Sequence, residues 1–137
     1  MFKKEVAQRI AAVPGNKNYG RLSVLAGWLT QARILFDVDR QVFVPPPNVT
    51  SSIVHVEPRS CPLARADPQM LSQVTAAAFG QRRKMLRVGL RKICPSPSDI
   101  LAAADIAETK RAEQLEIEEF CKLARLIDDQ KRQKHAH

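Results

Sequence analysis

Between Cys61-Pro62 and Asp67-Pro68 the hydrophobic pattern of this chain changes period, and no other feature limits its fold as much. Before that junction, Ile34-Leu35-Phe36-Asp37-Val38 reads as a buried strand and Ser52 to Glu57 alternates as another. Ahead of them Leu22, Leu25, Ala26 and Leu29 mark a helix of roughly three turns, ending near Gln31. After the junction, Leu71, Val74 and Ala78, and later Ile117, Phe120, Leu123, Ala124 and Ile127, recur at helical spacing. Two or three strands and one helix do not enclose a core, because a sheet needs more strands or a covering layer. Residues 1–60 therefore read as the end of a larger α/β domain, and residues 61–137 as a helical domain whose polar tail frays from about Gln130.

Local signals fill in this outline. Phe2 to Ala7 reads as a short strand running into a helical turn through Ile10, and Pro14 to Gly20 as a loop. Val42-Phe43-Val44 must be extended, since the residue before a proline is pushed out of the α region, and Pro45-Pro46-Pro47 then forms a stiff polyproline segment. Asp67-Pro68 starts a helix that Gly80 breaks, and Ser96-Pro97-Ser98-Asp99 opens another with a weak capping box. No apolar run reaches the ~20 residues of a membrane span. Cys61, Cys94 and Cys121 match neither a disulfide framework nor a zinc knuckle. The expectation is a reduced, cytoplasmic protein without a membrane partner. Tyr19, Trp28 and Phe120 read as packing residues. His55 has no companion at ligand spacing, and His135 and His137 lie in the tail.

Charge is concentrated. Of the net charge of +8, residues 61–92 carry +6, while residues 93–137 are net acidic. Gln81 to Lys92 holds Arg82, Arg83, Lys84, Arg87, Arg91 and Lys92 with no anion. On one continuous helix, Arg83, Arg87 and Arg91 would form a stripe beside Leu86, Leu90 and Ile93. A solvated helix face usually mixes signs, because like charges one turn apart repel. An unmixed stripe suits a polyanion whose phosphates supply the counter-charge. This predicts a phosphate-contacting helix.

Five segments occur in the order found in the ribosomal RNA adenine N6-dimethyltransferase family. They are Met1 to Ile10, Tyr19 to Val24, Phe43-Val44-Pro45-Pro46-Pro47-Asn48-Val49-Thr50-Ser51-Ser52, Phe79-Gly80-Gln81-Arg82-Arg83-Lys84-Met85-Leu86-Arg87, and Arg111 to Leu115 with Glu119-Phe120. The chain resembles the C-terminal half of such enzymes, from Met1 to about Ala124. The resemblance implies an α/β remnant, the last strands and a helix of a Rossmann-like methyltransferase domain, followed by a small all-α domain. It implies methyl transfer from S-adenosylmethionine to two adjacent adenines of small-subunit rRNA in a full-length parent. The partner would be that rRNA or a pre-ribosomal subunit. The glycine-rich loop, acidic ribose-binding residue and Asn-(Leu/Ile)-Pro-(Tyr/Phe) motif that serve the cofactor and target amine in the family have no counterpart here. This chain alone is therefore expected to bind no cofactor and to be inactive.

In the family the aromatic residue two before the first proline stacks on the target adenine, which carried over is Phe43, with Pro45 and Pro46 stiffening the platform. From the residues alone Phe43 reads as a core aromatic at a strand end. Arg21, Asn48, Arg82, Arg83, Lys84, Arg87, Arg91 and Lys92 are the expected RNA-binding residues. Asn48 stands where the family usually has Lys, and Arg21 reads equally as a solvated helix residue. A non-catalytic helical RNA-binding module in ribosome assembly stays open as an alternative, and a DNA-binding helix-turn-helix ranks behind it. Exposed edges of a truncated domain leave self-association open.

Overall fold

The structure, a computed structural model, describes residues 1–39 and 50–135. Strand β1 (Phe2–Lys3) passes directly into α1 (Lys4–Ala11), which the Glu5–Arg9 ion pair staples across one turn at 2.5 Å. The chain then turns at Gly15, whose φ of +89° suits a residue without Cβ, and enters α2 (Arg21–Leu29). Strands β2 (Thr30–Val38) and β3 (Ser51–Pro58) pair antiparallel from Thr30↔Pro58 to Val38↔Ser51, with a bulge between Ile34 and Phe36. The sheet order is β1-β3-β2. Strands β1 and β2 thus run the same way, linked through α1 and α2, with β3 antiparallel between them.

The first helix after the junction begins where expected. Asp67 caps α3 (Pro68–Gly80), its carboxylate accepting from the Met70 N–H at 3.0 Å, with proline in the first turn. Then follow α4 (Leu86–Leu90), α5 (Pro97–Ala103), a 3₁₀ turn (Ala112–Gln114) and α6 (Ile117–His135). Ser96 makes no side-chain cap at α5, so the weak capping box does not form. The tail expected to fray from Gln130 instead continues α6 to His135. The Asp128–Arg132 ion pair supports that last stretch.

The core corrects the expected architecture. Leu71, Val74, Leu101, Leu115, Phe120, Leu123 and Ile127 form one buried cluster with Tyr19, Val24 and Trp28 from the first half. The segment between β3 and α3 is strapped to α2. Trp28 Nε1 donates to the Ala64 carbonyl at 2.7 Å, Leu63 N–H to Trp28 at 2.8 Å, and Arg59 Nε to Gly27 at 3.1 Å. An α/β remnant followed by a separate all-α domain is therefore not what forms, because α2 belongs to the helical core as much as to the sheet. A second correction concerns β2. It is a strand, but Ile34, Leu35 and Phe36 are 37%, 47% and 58% exposed rather than buried. Pairing with β3 satisfies the backbone along one edge of this outer strand, while burial needs a covering layer on those side chains.

Candidate nucleic-acid interface

The basic segment does not fold as one helix. Gln81 to Lys84 is a turn closed by Lys84 N–H donating to the Gln81 carbonyl at 2.9 Å, and Met85 is extended at ψ 150°. Leu86 N–H donates to the Lys110 carbonyl at 2.8 Å, a tertiary bond that no local pattern announces. Only then does α4 form, for five residues, before Arg91 and Lys92 enter a second turn. The predicted stripe of Arg83, Arg87 and Arg91 along one helix is thus replaced by turn, short helix and turn.

Packing nonetheless directs the charges outward. Leu86 and Leu90 are buried, and a Cβ built on Gly89 would meet the Ala77 carbonyl oxygen at 2.5 Å, so α4 lies with its backbone against α3. Arg83, Lys84, Arg87, Arg91 and Lys92 are exposed, and Arg82 is half-buried. Two carboxylates approach this group. Glu113 lies 3.9 Å from Arg82 and Glu108 lies 3.8 Å from Arg87, long contacts between partly solvated partners that contribute little. Arg83, Lys84, Arg91 and Lys92 have no ion-pair partner among the described residues.

Arg21 and Arg82, distant in sequence, are brought to the same side of α3. Arg21 Nη2 donates to Ser72 Oγ. Arg82 Nη2 donates to the Lys17 carbonyl at 2.7 Å, and its guanidinium lies 5.7 Å from the Phe79 ring centroid. Beneath them Phe79 contacts Tyr19 edge-on at 5.9 Å and Phe120 at 5.5 Å. Lys17, exposed beside them, was not singled out from the sequence, where it is one polar residue of a loop. Phe43, Pro45, Pro46 and Asn48 lie outside the described residues.

Buried polar chemistry here serves packing. Tyr19 hydroxyl donates to the Leu115 carbonyl at 2.7 Å, and burial, then Glu116, raises its proton affinity far above the ordinary phenol value. Burial pushes the Cys121 thiol up to about 11, which makes it a poor nucleophile. Cys94 is also buried, and Cys61 is exposed. No group of three His, Cys, Asp or Glu among the described residues could hold a metal ion. Among the described residues no glycine-rich turn joins a strand to a helix: β1 meets α1 at Lys3-Lys4, and the segment from Arg59 to Asp67 contains no glycine. No described helix is long and apolar enough to cross a membrane.

The family model described as "Ribosomal RNA adenine dimethylase" matches residues 1–129. Ribosomal RNA small subunit methyltransferase A of Mesorhizobium japonicum is 56% identical over 127 residues, 93% of this chain and 44% of the relative. The protein of that name from Xanthobacter autotrophicus is 56% identical over 124 residues, 90% of this chain and 43% of the relative. The chain thus spans less than half the length of the curated relatives it matches. Among solved structures, a dimethyladenosine transferase from Plasmodium falciparum superposes with a TM-score of 0.78 at 22% identity, over 95% of this chain and 56% of that one. The 23S rRNA methyltransferase ErmE superposes at 0.55 and 21% identity, over 92% and 52%. The likeness runs through nearly the whole chain as one α/β stretch. It takes the place of the expected C-terminal remnant with its own all-α domain.

Proposed function

The chain belongs to the ribosomal RNA adenine dimethylase family, and on that premise we propose that it docks structured small-subunit rRNA for adenine N6-dimethylation. In this reading the exposed cations Arg83, Lys84, Arg87, Arg91 and Lys92 contact the phosphate backbone, with Arg21 and the half-buried Arg82 beside them. A-form RNA is read largely through backbone and 2′-hydroxyl contacts, so such cations suffice without base-edge recognition. Phe43 is the stacking platform for the target adenine, stiffened by Pro45 and Pro46, and Asn48 follows in the same segment. The methyl donor is held in a protein of the relatives' full length, and this chain alone transfers no methyl group. Cytoplasmic pre-ribosomal subunits are the partner.

One observation carries the reading: four exposed cations of a single segment have no carboxylate partner among the described residues, while Leu86, Gly89 and Leu90 hold that segment rigidly on α3. Releasing condensed counterions then drives binding, and affinity must fall steeply with salt. Filter binding to a small-subunit rRNA fragment tests it. Arg83→Glu with Arg87→Glu is expected to lower affinity at least about tenfold, ~1.4 kcal/mol, with an unchanged melting curve. Unchanged affinity in the folded double variant overturns the docking role.

The alternative, a non-catalytic module in ribosome assembly, draws on the direct passage of β1 into α1 at Lys3-Lys4 without a glycine-rich turn. Phe43→Ala in a protein of the relatives' full length separates the two. Lost adenine methylation with retained docking supports the platform, and retained methylation favours the module.

A further inference from the structure

Arg9 of α1, the loop at Lys17 to Gly20, the start of α2, and Phe79 with Arg82 at and just past the end of α3 line a cleft of about 470 Å³, within the range of small-ligand sites. Arg9, Lys17, Arg21 and Arg82 line it, and no carboxylate does. Of these only Arg9 is closely paired, with Glu5. Arg21 and Arg82 are held mainly by neutral acceptors, the Ser72 hydroxyl and the Lys17 carbonyl. Their guanidinium groups are thereby positioned while most of their charge is kept. Glu113, at 3.9 Å from Arg82, sits outside the cleft lining. The Lys17 ammonium has no partner among the described residues.

The placement is electrostatically unfavourable without a ligand. A Cβ built on Gly20 would lie 3.5 Å from Arg82 Nη1, so a guanidinium rests against the first residues of α2, which has no acidic residue in its first turn and no side-chain cap. Cations at that end of a helix repel its dipole. An anion between Lys17, Arg21 and Arg82 would offset both costs at once. Glu5 accounts for Arg9 and the Phe79 ring for part of the Arg82 placement, but no carboxylate of the lining balances the charge of Lys17, Arg21 and Arg82, which come from three separate segments.

We propose that this cleft seats one backbone phosphate of an RNA strand, apart from the phosphates met by Arg83, Lys84, Arg87, Arg91 and Lys92. This rests on the docking reading above and adds a defined contact to it. Lys17 supplies a mobile charge at the rim, and Arg21 and Arg82 supply fixed donors. The Phe79 ring, packed on Tyr19 and Phe120, fixes the floor.

The test uses the full chain and its Lys17→Gln variant, which keeps the carbonyl that positions Arg82. For the RNA arm, the log–log salt dependence of rRNA binding is expected to become shallower by about 1 in Lys17→Gln. For the second arm, inorganic phosphate is titrated in two-dimensional amide NMR. Saturable shifts are expected at Gly20, Arg21 and Leu22 in the parent, weakened in the variant. An unchanged salt slope while Arg83→Glu with Arg87→Glu still weakens binding overturns the cleft and leaves the docking surface standing. Phosphate shifts with an unchanged RNA slope also overturn it, by making the seat one for free phosphate. Binding insensitive to both sets of substitutions overturns the docking reading itself.

Discussion

Asp37 is an exposed carboxylate whose proton affinity is set by two neighbours. The Ser52 hydroxyl donates to it at 2.7 Å and Lys4 Nζ lies 3.0 Å away, and together, the serine first, they hold its carboxyl below the ordinary 3.8. A depressed acid contributes stability above its unfolded value and loses it as pH falls through the folded value. Asp37→Asn should therefore melt earlier than the parent at neutral pH, with the gap narrowing as pH falls below the ordinary carboxylate range. A gap that widens on acidification would contradict the assignment. The same residue ties α1 to the bulged strand β2, since Lys4 opens that helix. The sequence shows an aspartate in an apolar run but not its partners, which lie 15 and 33 positions away.

Two glycines inside helices, alike in sequence, differ in what stands against them. At Gly89 of α4 the obstacle is the Ala77 carbonyl oxygen at 2.5 Å, part of the α3 backbone, which cannot rotate away. At Gly27 of α2 it is Ile117 Cδ1, also at 2.5 Å but the free end of a side chain. Gly89→Ala is expected to cost roughly 1–3 kcal/mol by overpacking and to loosen the basic segment from α3. Gly27→Ala is expected to be near neutral, because alanine gains up to about 1 kcal/mol of helix propensity. Thermal melts of both variants check the contrast, and a larger loss at Gly27 would refute it. At this scale most elements were legible. The Asp67 cap, the Gly80 stop and the apolar faces of α3 and α6 depend on neighbours within a turn or two. The basic segment does not form the continuous helix its spacing predicts, because its break at Met85 is fixed by a bond from Leu86 to Lys110, 24 positions on.

Across the whole molecule, Tyr19 joins the two halves. Its hydroxyl reaches Leu115, 96 positions away, from the centre of the shared core. Tyr19→Phe leaves that carbonyl without its donor at a cost of roughly 1–3 kcal/mol, and should lower the melting temperature of sheet and helices together. Two separate transitions would show that the core is not shared. The sequence by itself determined strands around residues 34–38 and 52–57, the starts of α3 and α5, the apolar faces and the location of the charge excess. Those rest on spacing, caps and residue type, which act within a few residues. Only the tertiary structure decided that β2 is exposed, that α2 joins the helical core and that Lys17, Arg21 and Arg82 meet around one cleft. Each depends on which distant segment packs against which, and burial and long-range charge convergence leave no periodic trace in the chain.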